Sequence, residues 1–472
     1  MDMERPSHNQ PDRLGPRSVP AVIAVLGVIS AAVYLINFRI RELIPAFSDL
    51  SGIQLYVVLF LFLSILYLGS VVLVLKTTPN KTTSWGLILM IVLSAVFFRI
   101  SLVPSEPTVL SRDMYRFIWD GRVQAKGINP YRYPPEAEEL KDLRDEQIYP
   151  SINRKESPTL YPAGAQLIFR LVHFLTGNSV AGFKGIMVLF DILAILVLMA
   201  LLKKLGLNRS RIIIYAWNPL VVFEIAYSGH LEGLTVFLMV GALYLATINK
   251  KLPGIVMLAF SAAVKMYPAL LLAAFLNRGS RVKGLATFVA TILVLYLPFL
   301  GAGSKISGFL PVYLNNPYES FNLGLKYLLM RLLPGIDYYL LSLLFILCLA
   351  GAGLVVFFKN KKDPDIPWYA YILTGWLMIL MPASLHPWYV ILIIPFVAIY
   401  PGAAWLMFSC TVSLSYLKYT SPQGIMPGWI LLVEYLPLFA LLIVGYIFRG
   451  YNRRHKSSGK GFSRKKEQMV RV

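Results

Sequence analysis

The sequence predicts an all-α protein that crosses a lipid bilayer many times, and three observations lead there. Of its 472 residues 57% are hydrophobic and 15% charged, against roughly a quarter charged in a soluble chain. Apolar runs of about 20 residues, each long enough to cross the hydrocarbon as a helix, recur from end to end. Lysine and arginine gather in the short connectors between the runs. A net charge of +21 distributed in this way is a positive-inside signal, reinforced by the tail "RGYNRRHKSSGKGFSRKKEQMVRV", and not a nucleic-acid footprint.

Twelve candidate spans follow in order, near 18–38, 53–76, 83–103, 183–203, 211–228, 232–248, 283–301, 338–358, 367–385, 387–400, 402–418 and 428–448. The first lacks a small-residue cleavage site after it and reads as a retained helix. An even count puts both termini on one side, and the basic tail 449–472 makes that side the cytoplasm. The connectors agree, because Lys76 and Lys81, Lys203, Lys204, Arg209 and Arg211, Lys250 and Lys251, Arg278, Arg281 and Lys283, and Lys359, Lys361 and Lys362 all fall inside. One stretch resists the alternation. "LPGIVMLAFSAAVKMYPALLLAAFL" (252–276) is basic at both ends, so it is expected to be a re-entrant pair broken at "KMYP", backbone tolerated at membrane depth only beside protein or a polar cavity. Residues 1–448 then form a single membrane domain with two long outer loops, 104–182 and 302–337.

Cys348 and Cys410 both lie in apolar runs and imply neither a disulfide framework nor a zinc site. No P-loop, GxSxG or His/Cys metal cluster occurs. The D-x-D of "KKDPDIP" falls on the cytoplasmic side and reads as a solvated turn. Asn-x-Ser/Thr occurs at Asn80 and Asn208, both in cytoplasmic connectors, which suits a bacterial-type plasma membrane.

The first outer loop carries the chemistry. In "SRDMYRFIWDGRVQAKGINPYRYPP" (111–135), Ser111 can cap a helix that ends at Gly127 and Asn129-Pro130. Asp113, Arg116 and Asp120 are spaced i, i+3, i+7 and share a face, while Met114, Phe117 and Ile118 form an apolar strip beside it. Such a helix suits the membrane surface. So does the run 161–177, which is too short to span. A carboxylate there can act as a base, but Asp113 can equally complement the helix dipole and Asp120 can serve only to pair with Arg116. Other polar residues point to the same side. They are His230 and Glu232 in "SGHLEG", His386 in "LHPWYV", and Lys265 and Tyr267 at the re-entrant tip. A charge at membrane depth faces a cavity or a partner. Asp191 and Glu224, inside spans, are left as hydrogen-bonding partners. Arg99, near the outer end of its span, is expected to snorkel.

The block 111–135, followed by "SPTLYPAGAQLIF", resembles the first outer loop of GT-C glycosyltransferases, and most closely the family-87-type mannosyltransferases that use a polyprenyl-phosphate sugar. "SGHLEG", "KMYPALLL" and "HPWYVILIIPF" look like later segments of that family. The resemblance implies a GT-C-like bundle of about 12 transmembrane helices, an active site at the outer membrane face and no nucleotide-binding domain; with no metal cluster in the sequence, no cofactor or metal is expected. It makes Asp113 the catalytic base. It makes His386, Lys265 and Arg122 candidates for holding the lipid phosphate, and Tyr161 and Glu232 candidates for lining the sugar pocket. Arg116, Asp120, His230 and Tyr267 complete the expected substrate-binding set. The expected reaction is an inverting transfer of mannose from a polyprenyl-phosphate donor to a glycan or glycolipid acceptor. The rival is a transporter or flippase of lipid-linked sugars, which would place charges along a mid-membrane path and pair broken helices in two related halves.

The sidedness is directly testable. In a background lacking Cys348 and Cys410, a cysteine at Ser151 should label with an impermeant reagent on intact cells and one at Ser457 should not. Labelling at Ser457 would reverse the orientation.

Overall fold

The structure is a computed structural model that describes residues 18–77, 85–107, 109–276, 279–314, 321–360, 365–421 and 424–447. The basic tail, the connector with Asn80 and Lys81, Arg278, Lys361 and Lys362, and Asp363 of the D-x-D lie outside the described residues. Those described form helices and loops, with no strand among them.

Among the described residues seven helices are long and apolar enough to cross a membrane: Val19–Arg39, Gly52–Thr77, Trp85–Leu102, Val180–Lys204, Arg281–Ser307, Tyr338–Lys359 and Gly428–Ile447. They coincide with seven of the twelve expected spans. The other five are shorter or interrupted, and local chemistry explains the breaks. The run 211–228 is a 3-10 turn, two four-residue helices and a π turn, interrupted at Trp217-Asn218 before Pro219. Proline has no N–H to continue a ladder, and Asn218 Oδ1 instead accepts the Leu220 N–H at 3.0 Å. Pro387 and Pro395 begin the two halves of the 387–399 element in the same way. The helix Lys251–Val264 stops at an extended Lys265 and resumes as a 3-10 turn, Tyr267–Leu271, so the break falls at "KMYP" as expected.

The helices needed below are named α1 (Asp113–Ala125), α2 (Ala163–Thr176), α3 (Val180–Lys204), α4 (Glu232–Thr247), α5 (Lys251–Val264) and α6 (Arg281–Tyr296). Among them α3, α4 and α5 pack side by side, and α2 lies across α1 and α5. Apolar side chains such as Val282, Leu293 and Val294 of α6 stand bare. Only 6% of the most apolar stretch of the Arg281–Ser307 helix is buried, which fits a helix solvated by lipid. In contrast Ile212–Tyr227 and Trp388–Ile399 are enclosed by protein.

Two expectations are corrected. The α1 helix does not lie one-sided on a surface, because every residue from Met114 to Gln124 is buried. Packing of α2 over it is possible because position 121 is glycine, where a Cβ would stand 2.5 Å from the Phe169 carbonyl oxygen. Arg99 does not snorkel. It is fully buried, donates from Nε to Asp191 Oδ2 at 2.5 Å, and donates from Nη1 to the carbonyls of Ala95 (3.0 Å) and Ala216 (2.8 Å). The break at Trp217-Asn218 leaves the Ala216 carbonyl without a helical donor, and the guanidinium supplies one. Tyr215 completes the group by donating to Asp191 Oδ1 at 2.5 Å. Asp191 thus acts as the tertiary partner anticipated from its sequence position.

Breaking that pair from one side should be costly. Asp191→Ala leaves Arg99 buried and unpaired and should destabilise the protein by about 3–5 kcal/mol, read as a large fall in thermal midpoint in detergent. Arg99→Met combined with Asp191→Leu should recover much of the loss, and a double variant no better than the single one would refute the pairing argument.

Candidate active site

A cavity of about 250 Å³ opens where α1 begins, bounded by the loop 153–162, the end of α5, residues 309–313, the turn at His386 and Tyr416–Tyr419. Its polar lining includes Arg112, Asp113, Arg116, Asn153, Arg154, Tyr161, Lys265, Tyr267 and His386. Among the described residues the charged side chains on it are four cations, Arg112, Arg116, Arg154 and Lys265, and one carboxylate, Asp113.

Local chemistry sets each group. Ser111 Oγ accepts the Asp113 N–H at 3.2 Å, and Asp113 stands in the first turn of α1. Its Oδ1 accepts from Asn153 Nδ2 at 2.7 Å. One turn on, Arg116 donates from Nε to Asp120 Oδ1 at 2.8 Å and from Nη1 to the Ser157 carbonyl at 3.0 Å. Asp120 is held from the other side by Gln166 Nε2 at 2.9 Å. Lys265, in the extended break after α5, donates to Glu232 Oε1 at 2.6 Å and lies 5.2 Å from the centroid of the Tyr389 ring. Tyr267 meets the same ring edge-on at 4.9 Å. His386 is sandwiched between Phe321 (4.8 Å) and Trp388 (4.4 Å), and its Nδ1 has no hydrogen-bond partner among the described residues. The wall closes at Gly308, whose φ is +53° and whose Cβ would fall 1.7 Å from the Thr159 carbonyl oxygen. Only glycine lets that chain touch the loop and seat Phe309, which donates its N–H to the same carbonyl at 3.1 Å.

Of the residues expected at the site, Asp113, Arg116, Tyr161, Lys265, Tyr267 and His386 come together on the cavity. Asp120 and Glu232 stand behind it, each as the carboxylate partner of a lining cation. His230 is also behind the wall, stacked on the far face of Trp388 at 4.1 Å, with Nε2 3.5 Å from Glu224 Oε2. Glu224 in turn accepts from Tyr416 at 2.7 Å. Arg122 is elsewhere. It lies near the other end of α1, donating to Asp145 Oδ2 at 2.5 Å, the Leu143 carbonyl at 2.8 Å and Asn178 Oδ1 at 3.1 Å. Burial opposes ionisation of Asp145, but Arg122 and the N–H groups of Tyr149 and Ile148 outweigh it and hold the carboxyl at about 2. Sequence reasoning missed Asn153, Arg154 and the aromatic rim of Phe321, Trp388 and Tyr416. Trp388 lies in a stretch already quoted as family-like. Nothing in the spacing of "INRKES" marks the first two.

Residues 19–278 match the family model described as alpha-(1->6)-mannopyranosyltransferase, N-terminal domain. No curated protein and no solved structure matches the chain. The matched region contains α1 to α5 and ends before residues 309–313, His386 and Tyr416, so the family model covers part of the cavity wall and the rest comes from later in the chain.

Arg122 and Asp145 should act as a loop clamp apart from the cavity. Asp145 has a depressed value, from an ordinary 3.8 to about 2. Its contribution is therefore complete above the ordinary value and lost as pH falls through the lower one. Limited proteolysis of the 126–160 segment should be slow at pH 5, accelerate only as the pH nears 2, and be fast at pH 5 in Asp145→Asn. Equal protection in variant and wild type at pH 5 would remove the clamp.

Proposed function

The chain belongs to the alpha-(1->6)-mannopyranosyltransferase family, and on that premise we propose that it transfers mannose from a polyprenyl-phosphate donor to the primary hydroxyl of a glycan or glycolipid acceptor at the outer membrane face. The observation that carries this reading is one carboxylate, Asp113, set among cations in a cavity whose lining stretches all fall on the side read as outer from the basic connectors. The break at Lys265 is read as the tip of a re-entrant pair, and the side read as inner as the cytoplasm, both termini included, of a bacterial-type plasma membrane.

In the proposed reaction Asp113 accepts the proton of the acceptor hydroxyl as its oxygen attacks the anomeric carbon. Asn153 occupies Oδ1, so Oδ2 is the atom that takes the proton. The bond from the anomeric carbon to the phosphate oxygen breaks, and the lipid phosphate leaves with the negative charge. Arg116, Lys265 and His386 line its path and can hydrogen-bond the departing oxygens. A direct displacement inverts the anomeric centre. An alpha-(1->6) product therefore requires a donor whose mannose is joined to phosphate in the beta configuration. The bundle buries the polar head beside protein while the lipid tail stays among apolar helices.

The test offers polyprenyl-phosphate mannose and a nucleotide-linked mannose side by side to the purified protein. Wild type should use the lipid-linked donor, and Asp113→Asn, which keeps the size of the side chain, should fold and lose roughly 10²–10⁴-fold in rate. A well-folded Asp113→Asn protein at wild-type rate would remove the base. Preference for the nucleotide donor would sink the lipid-linked mechanism.

A further inference from the structure

We propose that Gln166 is the positioning residue that aims Arg116 at the departing phosphate, an inference that rests on the lipid-phosphate reading above. Gln166 stands in the first turn of α2 and is fully buried. A buried amide is costly unless its two N–H groups and its carbonyl are all met. Here Nε2 donates to Asp120 Oδ2 of α1 at 2.9 Å and to Thr159 Oγ1 of the loop before α2 at 2.8 Å. Oε1 accepts from Gln124 Nε2 of α1 at 2.8 Å. The amide cannot turn over. Gln124 Nε2 also faces the carbonyls of Asp120 (3.2 Å) and Gln166 (2.9 Å), which only accept, so Gln124 presents N–H and Gln166 answers with oxygen. Its nitrogen is thereby committed to the carboxylate.

Through that carboxylate the amide reaches the cavity. Asp120 gives Oδ2 to Gln166 and Oδ1 to Arg116 Nε at 2.8 Å, so Gln166 sets the angle at which Asp120 meets the guanidinium. Arg116 Nη1 goes to the Ser157 carbonyl at 3.0 Å. With Nε and Nη1 engaged, the fork is held in one plane, and Nη2 has no partner among the described residues. Arg116 lines the cavity, and Nη2 is the end of the fork left for phosphate oxygen. A long side chain pre-set in this way loses less freedom when it meets an anion.

Thr159 is the second arm of the device. Its Oγ1 accepts from Gln166 and from the Tyr161 N–H at 3.3 Å, and its carbonyl accepts the Phe309 N–H at 3.1 Å. The same loop is strapped to α1 where Asn153 donates to Asp113 Oδ1 at 2.7 Å and where the Ser157 carbonyl meets Arg116. One buried amide therefore keeps the guanidinium of α1 in register with the wall that carries Tyr161 and Phe309. Gln166 itself does not line the cavity, so whatever it contributes to turnover passes through Arg116 or that wall.

The test uses the full chain in detergent with polyprenyl-phosphate mannose as donor, and records kcat, the KM of each substrate and the melting temperature. Gln166→Met is similar in length, uncharged, and donates nothing to Asp120. Its kcat should fall about ten- to a hundredfold, the worth of a hydrogen bond to a charged group, while the KM of the acceptor stays unchanged. Gln166→Glu should fall at least as far, because a carboxylate then faces Asp120. Asp120→Asn combined with Gln166→Glu reverses the bond. The new amide donates to the new carboxylate, which still accepts from Gln124 and from the Thr159 hydroxyl, and the amide oxygen still accepts from Arg116. This reversed pair should melt near wild type and recover most of the turnover. In an Arg116→Lys background, which keeps the charge and lacks the fork, Gln166→Met should add almost no further loss. Wild-type turnover in Gln166→Met, or a loss of equal size in the Arg116→Lys background, would overturn the proposal. A reversed pair that melts far below wild type, or that melts with it and stays as slow as Gln166→Glu, would do the same. If the wild type cannot use polyprenyl-phosphate mannose, the lipid-phosphate reading fails and this inference with it, a result distinct from an active wild type whose Gln166 variants are unimpaired.

Discussion

Lipid offers no hydrogen bonds, so charge inside this bundle persists where the protein itself supplies the partner. Arg99 is the fullest case, with a carboxylate and two carbonyls around one guanidinium. Lys184 of α3 is held by the carbonyls of Leu102 and Ser105 at 2.9 and 2.7 Å. Glu434 accepts from Asn322 at 2.7 Å and from the Ser415 N–H at 2.9 Å, tying the Gly428–Ile447 helix to the segment that carries Phe321. These contacts join elements far apart in the chain, and they bring together the elements that form the cavity.

The cavity departs from this pattern in a specific way. Its cations are partnered from behind, Arg116 by Asp120 and Lys265 by Glu232, so each is oriented but keeps donors toward the opening. Among the described residues His386 Nδ1, on the cavity, is buried with no hydrogen-bond partner. Buried polar groups are normally satisfied, and exceptions of this kind fit a site that completes its hydrogen bonds with a substrate. The stack of Phe321, His386, Trp388 and His230 gives one side of the opening a rigid aromatic wall.

The first long connector does the positioning. Its helix α1 is buried from Met114 to Gln124, with Gly121 admitting α2, while Gly308 lets the chain after α6 close on the loop at Thr159. A helix clamped in this way can hold a carboxylate in one place. A helix resting on a bilayer surface would leave Asp113 more mobile. The clamp at Arg122 and the strap at Asn153–Ser157 secure its opposite ends.

Much of this protein could be read from one sequence because membrane spans obey a simple rule: about 20 apolar residues, with basic residues on one side. The seven long helices, the break at "KMYP" and the helix from Asp113 all follow from local composition, proline and capping. Asp113, Arg116, Tyr161, Lys265, Tyr267 and His386 were also visible, because polar groups between apolar runs are conspicuous. Tertiary structure alone decided which of them meet. Sequence spacing could not show that Arg122 faces Asp145, that His230 is walled off by Trp388, or that Glu232 serves Lys265, since each depends on packing between distant segments. Arg99 illustrates the physical reason. Its position near a span end suggests snorkelling, yet a break more than a hundred residues later leaves a carbonyl bare and draws the side chain inward. Gln166 is the converse. Its residue type is ordinary, and only the carboxylate, hydroxyl and amide that tertiary packing sets around it mark it out.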